Sequence, residues 1–269
     1  MTSSTPTAVG LYSIGIRSID LEDLLALAVA HEVPFLHLRG GPRGFDLGRQ
    51  DTATLTRWAR CCLQVNVPIT VVTADLDLAD FTRPGTQAYQ QASTELDLLG
   101  HAAAVLGAPA IRLLARRALD QRQWIDLTVP DLTARYGLTT LIELHDPKWF
   151  TAQAVASMAA HLGRAPWLGL LMDTAQVHEA WRCSDRPDAL AARVSALVPH
   201  TRAVHISESG DDVPSAGLRI VAQAFGHGND DNRAEIAYEW TGADRSPQSC
   251  LARYRRAVAW WRSRVEANP

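Results

Sequence analysis

The sequence predicts an α/β protein folded as a single (β/α)8 barrel, and three observations predict it. Short apolar, often β-branched runs recur eight times; longer stretches with helical spacing separate most of them; and the strand starts fall about 25 to 42 residues apart, the length of one strand–helix unit. The runs are almost continuously apolar, as strands covered on both faces must be. A closed barrel fits eight such units into one domain of 269 residues. An open doubly wound sheet is the structural rival. A dinucleotide-binding version of it would carry a glycine fingerprint after the first strand, and Gly15-Ile16-Arg17-Ser18 carries none.

In chain order, residues 1–8 read as a flexible polar tail rich in Ser, Thr and Pro, and the barrel is expected over residues 9–269. The first strand is placed at Val9–Ile14 and the first helix at Asp20–His31. The next three strands are Pro34–Leu38, Pro68–Val72 and Ala110–Leu114, followed in turn by helical spacing over Asp51–Val65, Thr86–Leu106 and Gln121–Tyr136. Strands at Thr139–Leu144 and Trp167–Met172 precede helices at Ala152–Leu162 and Pro187–Val198. After a strand at Arg202–Ile206, the segment Ser207–Arg233 is rich in Gly, Asp and Asn, with room for a short helix at Leu218–Phe225. The seventh helical segment is therefore expected to be shortened or irregular. Ala234–Tyr238 and a helix at Ser249–Val265 complete the pattern, and no composition break marks a second domain.

Composition narrows the function classes. With 47% hydrophobic and 20% charged residues, the chain reads as an ordinary soluble fold. No stretch reaches the ~20 apolar residues of a membrane span, and Met1–Ala8 has no signal-peptide architecture, so a cytoplasmic protein without membrane contact is expected. A formal charge of -3 opposes a phosphate-backbone binder, so nucleic acid is not an expected partner. The cysteines Cys61, Cys62, Cys183 and Cys250 lack C-x-x-C spacing and suggest neither a disulfide framework nor a zinc knuckle. Trp58, Trp260 and Trp261 fall on predicted outer helices, where they close the outer layer or form a homo-oligomer interface.

A barrel places its chemistry at the carboxyl ends of its strands. The fifth strand ends Leu141-Ile142-Glu143-Leu144-His145, the sixth ends Leu170-Leu171-Met172-Asp173, the seventh carries Val204-His205-Ile206, and the eighth ends Tyr238-Glu239-Trp240. From Glu143 to Asp173 to His205 to Glu239 the spacings are 30, 32 and 34 residues, one unit each. Any one of these residues alone has a plain explanation as a helix cap or a core histidine. Together they converge on one mouth, where three carboxylates repel one another unless a cation neutralises them. This oxygen and nitrogen donor set suits Mn2+, Mg2+, Co2+ or Zn2+.

Glu143 in Ile-Glu-Leu-His, Asp173 in Leu-Met-Asp-Thr, His205 in Val-His-Ile-Ser, and Glu239 together resemble the sugar isomerase/epimerase group of the xylose-isomerase-like TIM barrels, a superfamily that includes the AP endonuclease relatives. The likeness spans nearly the whole chain in strand rhythm, and its motifs lie on the fifth to eighth strands. It implies that Glu143, Asp173, His205 and Glu239 hold one divalent metal ion, with Glu143 and Glu239 also acting as the acid/base pair on opposite faces of the substrate. The implied reaction is isomerisation or epimerisation of a small sugar, sugar phosphate or keto-polyol, by proton abstraction next to a carbonyl through a metal-stabilised enediolate.

The sequence departs from the group in two places. An Asp-x-x-His is usual after the sixth strand, whereas here Gln176 stands three residues beyond Asp173 and His178 stands five beyond; either is a candidate substrate contact. The Gly-x-Gly motif after the seventh strand is echoed by Gly226-His227-Gly228, which makes His227 a candidate ligand or substrate contact. In the first half, His37 and Arg39 lead into Gly40-Gly41-Pro42-Arg43-Gly44, whose amides and arginines suit a phosphate, a carboxylate or sugar hydroxyls. Arg112 is placed for the same role or for a structural ion pair. Trp149 and Trp240 would wall the pocket or pack its rim.

Alternatives from other classes are a metal-dependent dehydratase or lyase on a related substrate, and a non-catalytic binding barrel. Phosphodiester cleavage needs extra histidines on the early strands, and Val71-Val72-Thr73-Ala74-Asp75 offers none. No Gly-x-Ser-x-Gly elbow supports a serine nucleophile.

Overall fold

Each of the eight strands pairs in parallel with its sequence neighbours, and the last pairs back onto the first, so the sheet closes. They are β1 (Val9–Tyr12), β2 (Leu36–Arg39), β3 (Ile69–Asp77), β4 (Ala110–Ala115), β5 (Thr139–Leu144), β6 (Leu168–Asp173), β7 (Thr201–Glu208) and β8 (Glu235–Trp240). The computed structural model describes residues 8–184, 186–208, 214–226 and 234–265. Between and after the strands lie α1 (Leu21–Ala30), α2 (Thr52–Val65), α3 (Gln87–Val105), α4 (Gln121–Asp126), α5 (Thr133–Tyr136), α6 (Ala152–Leu162), α7 (Thr174–Arg182), α8 (Pro187–Leu197), α9 (Ala216–Gly226) and α10 (Pro247–Val265). The chain is a single (β/α)8 barrel.

Strand alternation divides the core in two. Residues such as Leu36, Leu38, Val72, Ile111, Ile142, Leu170 and Val204 belong to the large cluster packed with the helices. Their neighbours Val71, Ala110, Leu141, Leu171 and Ala203 form a separate small cluster, an apolar plug inside the barrel. The next inward positions above the plug are Thr73, Arg112, Glu143, Asp173 and His205, all buried. The closure is tied from outside, where the Tyr254 hydroxyl of α10 donates to the Val9 carbonyl at 2.7 Å. Trp58 and Trp261 are buried in the outer layer and Trp260 packs partly buried against it, which favours their packing role.

Most helices start where a short polar side chain caps them. Asp20, Asp51, Asp120 and Thr151 each accept a backbone N–H from the first turn, worth about 1 kcal/mol apiece. The single helix expected over Gln121–Tyr136 is instead two short ones, α4 and α5. Pro130 explains the break: it lacks an N–H and pushes Val129 out of helical conformation. Helix α7 was not expected. It begins directly after β6, with Asp173 as its cap. The α9 helix covers Ala216–Gly226, slightly longer than the predicted Leu218–Phe225, and it packs closely on α7. A Cβ on Gly217 would lie 2.1 Å from the Thr174 carbonyl oxygen, so only glycine permits this approach. Among the described residues, no helix is long and apolar enough to cross a membrane.

Candidate metal centre

Strands β5 to β8 are consecutive around the barrel, and their registers bring their carboxyl ends together. Asp173 pairs with His205, and Ser207 pairs with Glu239. One ligand atom from each of Glu143, Asp173, His205 and Glu239 lies within 4.8 Å of all the others, and all four residues are buried. The structure thus brings together the four positions singled out from the sequence.

The cluster is not purely acidic. Arg112, fully inside the barrel, places Nε 2.8 Å from Glu143 Oε2. It donates Nη1–H to the Ala74 carbonyl at 2.8 Å and Nη2–H to the Tyr12 hydroxyl at 3.1 Å. The Tyr12 hydroxyl in turn lies 2.7 Å from Thr73 Oγ1, and its ring stacks on His205 with centroids 4.7 Å apart. On the other side of Glu143, His145 Nε2 stands 3.2 Å from Oε1. With ionised carboxylates and a neutral His205, three negative charges face one arginine. The balance of about -2 matches a divalent cation.

Burial works to raise the Glu143 carboxyl, but the Arg112 charge and the His145 contact overcome it and hold the group down at about 2. For Asp173 and Glu239 the neighbouring donors and the more weakly felt Arg112 do not offset burial. Burial, and then the charges of Glu239 and Glu143, push Asp173 up to about 7; burial, and then Glu143, raise Glu239 to about 7. Burial lowers His205 to about 4, which favours a neutral imidazole, the form that binds metals.

Hydrogen-bond alignment supports a cation among these atoms. His205 Nδ1 and Glu239 Oε2 lie 3.0 Å apart, yet neither makes an aligned hydrogen bond. Glu143 Oε2 is likewise unaligned with Arg112 Nε despite their proximity. Buried donors and acceptors are rarely left unsatisfied. Ligands of one small ion show this relation, close to one another with their lone pairs turned to a common point. Asp173 Oδ1 accepts from Ala175 N and Gln176 N at the start of α7, and Oδ2 accepts from Ser207 Oγ, which fixes the carboxylate. The donor set fits one divalent ion.

The remaining candidates are placed differently. His37 is fully buried beside the cluster, its Nδ1 2.9 Å from His205 Nε2, so it backs His205 and is closed off from the open mouth. Arg39 and Arg43 converge on Asp75 of β3, at 3.6 and 3.0 Å, and form a charged pair of arginines on one carboxylate near the strand ends. Gln176 and His178 lie on α7, and no hydrogen bond or ion pair among the described residues joins their side chains to the four. The His178 ring stacks on Trp181. Trp149 does not wall a pocket: it is fully buried, donates its indole N–H to the Ala115 carbonyl at 2.9 Å and packs edge-on to Trp124. His227 lies outside the described residues. A cleft of about 470 Å3 opens between the loop after β2 and α3, lined by residues such as Gly41, Gln90 and Glu95, and none of the four faces it.

Three contributors were not assigned a site role from the sequence. Arg112 was left between two readings, and the structure makes it the buried ion pair. His145 stood in the quoted motif, two residues beyond Glu143. Ser207 lies two beyond His205; that spacing of two, which keeps a side chain on the same strand face, is the signal for both.

No protein-family model matches the chain, and no curated protein matches it. Solved structures share its fold. A xylose isomerase domain-containing protein from Salmonella typhimurium LT2 superposes with a TM-score of 0.67 at 17% identity, covering 95% of this chain and 97% of that one. D-psicose 3-epimerase from Clostridium cellulolyticum H10, solved with D-tagatose, gives 0.71 at 12%, covering 96% and 99%. The IolI protein, solved with a zinc atom, gives 0.69 at 12%, covering 96% and 98%. The fold is that of the xylose isomerase-like TIM barrels.

Proposed function

We propose that this barrel binds one divalent metal ion through Glu143, Asp173, His205 and Glu239 and catalyses proton transfer next to a carbonyl, as an isomerase or epimerase of a small sugar, sugar phosphate or keto-polyol. The observation that carries the reading is the convergence of the four buried ligand atoms within 4.8 Å. A fold shared with a ketose epimerase, and with a protein that binds zinc, supports it.

When bound, the ion supplies positive charge to the substrate oxygens as the α-proton leaves. The chain supplies the rest. Glu143 and Glu239 stand on β5 and β8, the outer two of the four consecutive strands, and would act as the acid/base pair on opposite faces of the substrate. Arg112 holds Glu143 in its ionised form, the form a general base needs, and with the ion bound Glu239 would be the second carboxylate of the acid/base pair. Asp173, held by Ser207 and the α7 amides, fixes the geometry between them.

The test is exchange of substrate C–H for solvent deuterium in a panel of ketoses, ketose phosphates and inososes, with Mn2+, Mg2+, Co2+ or Zn2+ added. Exchange that needs metal, and that Glu143→Gln lowers at least about 100-fold, supports the reading. Exchange by Glu143→Gln at the parent rate contradicts it.

A further inference from the structure

Arg39 ends β2 two residues beyond the inward-facing His37, and it pairs with the inward-facing Thr73 of β3. Its side chain therefore starts on the interior face, one step nearer the mouth than His37. In the closed strand order β2 lies opposite β6, so Arg39 stands across the mouth from Asp173. Its side chain is only 18% exposed.

This guanidinium has a charge partner that is already taken. Arg43 grips Asp75 with two prongs, Nε donating to Oδ2 at 3.3 Å and Nη2 donating to Oδ1 at 3.0 Å. Burial works to raise the Asp75 carboxyl, but the Arg43 hydrogen bond and the charges of Arg39 and Arg43 hold it below the usual carboxylate range. Arg39 is left with Nη2 3.6 Å from Asp75 Oδ1, and among the described residues its guanidinium makes no hydrogen bond. Asp75 and Arg43 cancel, and a divalent ion balances Arg112 and the three carboxylates of the metal centre. Arg39 is the charge left over, with a fork of unfilled donors.

The fork is also held in place. The Arg39 N–H donates to Ser13 Oγ at 2.9 Å, and its carbonyl accepts from Phe45 N–H at 2.9 Å. A Cβ on Gly44 would lie 2.7 Å from Arg39 Cγ, so glycine there lets the loop after β2 lie against the stem of the side chain. On the far side, Arg245 donates to the Ile14 and Trp240 carbonyls after β1 and β8. Burial, and then the charges of Arg17 and Arg39, lower Arg245, so this side of the mouth carries a positive field.

We propose that the substrate carries an anionic group, a carboxylate or a phosphate, at the end remote from its reacting carbons, and that Arg39 binds this group across the mouth from the metal centre. This deepens the proposed reaction and rests on it. A guanidinium fork matches two oxygens of either anion, and the anion supplies the charge that Arg39 lacks. Fixing the remote end orients the carbonyl and its neighbouring C–H toward the centre.

The test compares neutral ketoses with their terminal phosphates and their terminal carboxylates in the deuterium-exchange assay with metal added. An anionic member should exchange with kcat/KM at least about 10-fold above its neutral counterpart, and which anion does so separates phosphate from carboxylate. In Arg39→Met, KM for that member should rise about 10- to 100-fold with kcat changed far less; Arg39→Lys, which keeps the charge but loses the fork, should recover part of the loss. Neutral ketoses exchanging as efficiently as the anions, or an unchanged KM in Arg39→Met, would overturn the proposal and leave the proposed reaction standing. If no member exchanges, the proposed reaction fails and anion binding decides by itself: inorganic phosphate and acetate are titrated calorimetrically into the metal-free parent and Arg39→Met. Binding in the parent that weakens at least about 10-fold in the variant supports an anion site at Arg39; no binding in the parent, or equal binding in both, overturns it. If Arg39→Met does not fold, Arg39→Lys takes its place in both measurements, with the same signs expected.

Discussion

Arg112 and Glu143 stand side by side on adjacent strands, guanidinium Nε 2.8 Å from carboxylate Oε2, both almost wholly removed from water. Arg112 thus brings a positive charge into the barrel interior beside three carboxylates, and it holds Glu143 ionised in the metal-free protein.

Replacing Arg112 with methionine leaves Glu143 as an uncompensated buried charge. Loss of one partner from such a pair costs about 3–5 kcal/mol. Urea unfolding of the metal-free variant should show a loss of this size, and saturating Mn2+ should narrow the gap to the parent, because the ion compensates the same carboxylate. An equal loss with and without Mn2+ would place Glu143 outside the metal site.

Metal affinity should depend on pH in one direction. Asp173 and Glu239 are both raised to about 7, so below that pH the metal-free site holds protons that an incoming ion must displace. Affinity should climb as pH rises toward 7, about tenfold per pH unit for each proton released, and flatten above it. His205, lowered to about 4, adds nothing near neutrality. Calorimetric titration with Mn2+ between pH 5.5 and 8.5 checks this; a flat profile would count against protonated carboxylates in the free site.

Trp149 separates packing from substrate contact. Trp149→Ala removes a fully buried indole and should cost about 3–5 kcal/mol while leaving metal content unchanged, and Trp149→Phe should cost less. Metal loss in a folded Trp149→Phe would show that the residue supports the centre.

The strands were legible because parallel strands covered on both faces leave continuous apolar runs, and the four clustered residues were legible because each ends or nearly ends such a run. Other features were hidden for identifiable reasons. Helix α7 was overlooked because Asp173 was read only as a strand end, although Asp173-x-x-Gln176 also has the spacing of a capping box. The break at Pro130 was outweighed by helical spacing on both sides. His37 and Arg112 face inward, but how high an inward residue sits depends on barrel stagger, which no local pattern carries. Trp149 follows its strand closely enough to suggest the mouth, yet the 3-10 turn Pro147–Phe150 folds it into the core.

The central claim is that the four buried residues hold one divalent ion. The most direct measurement is the metal content of the purified protein by elemental mass spectrometry, before and after loading with Mn2+, Mg2+, Co2+ or Zn2+, repeated on the double variant Glu143→Gln/Asp173→Asn. The account predicts about one equivalent in the parent and none in the folded variant. No bound metal in the loaded parent, or an undiminished equivalent in the variant, would contradict it.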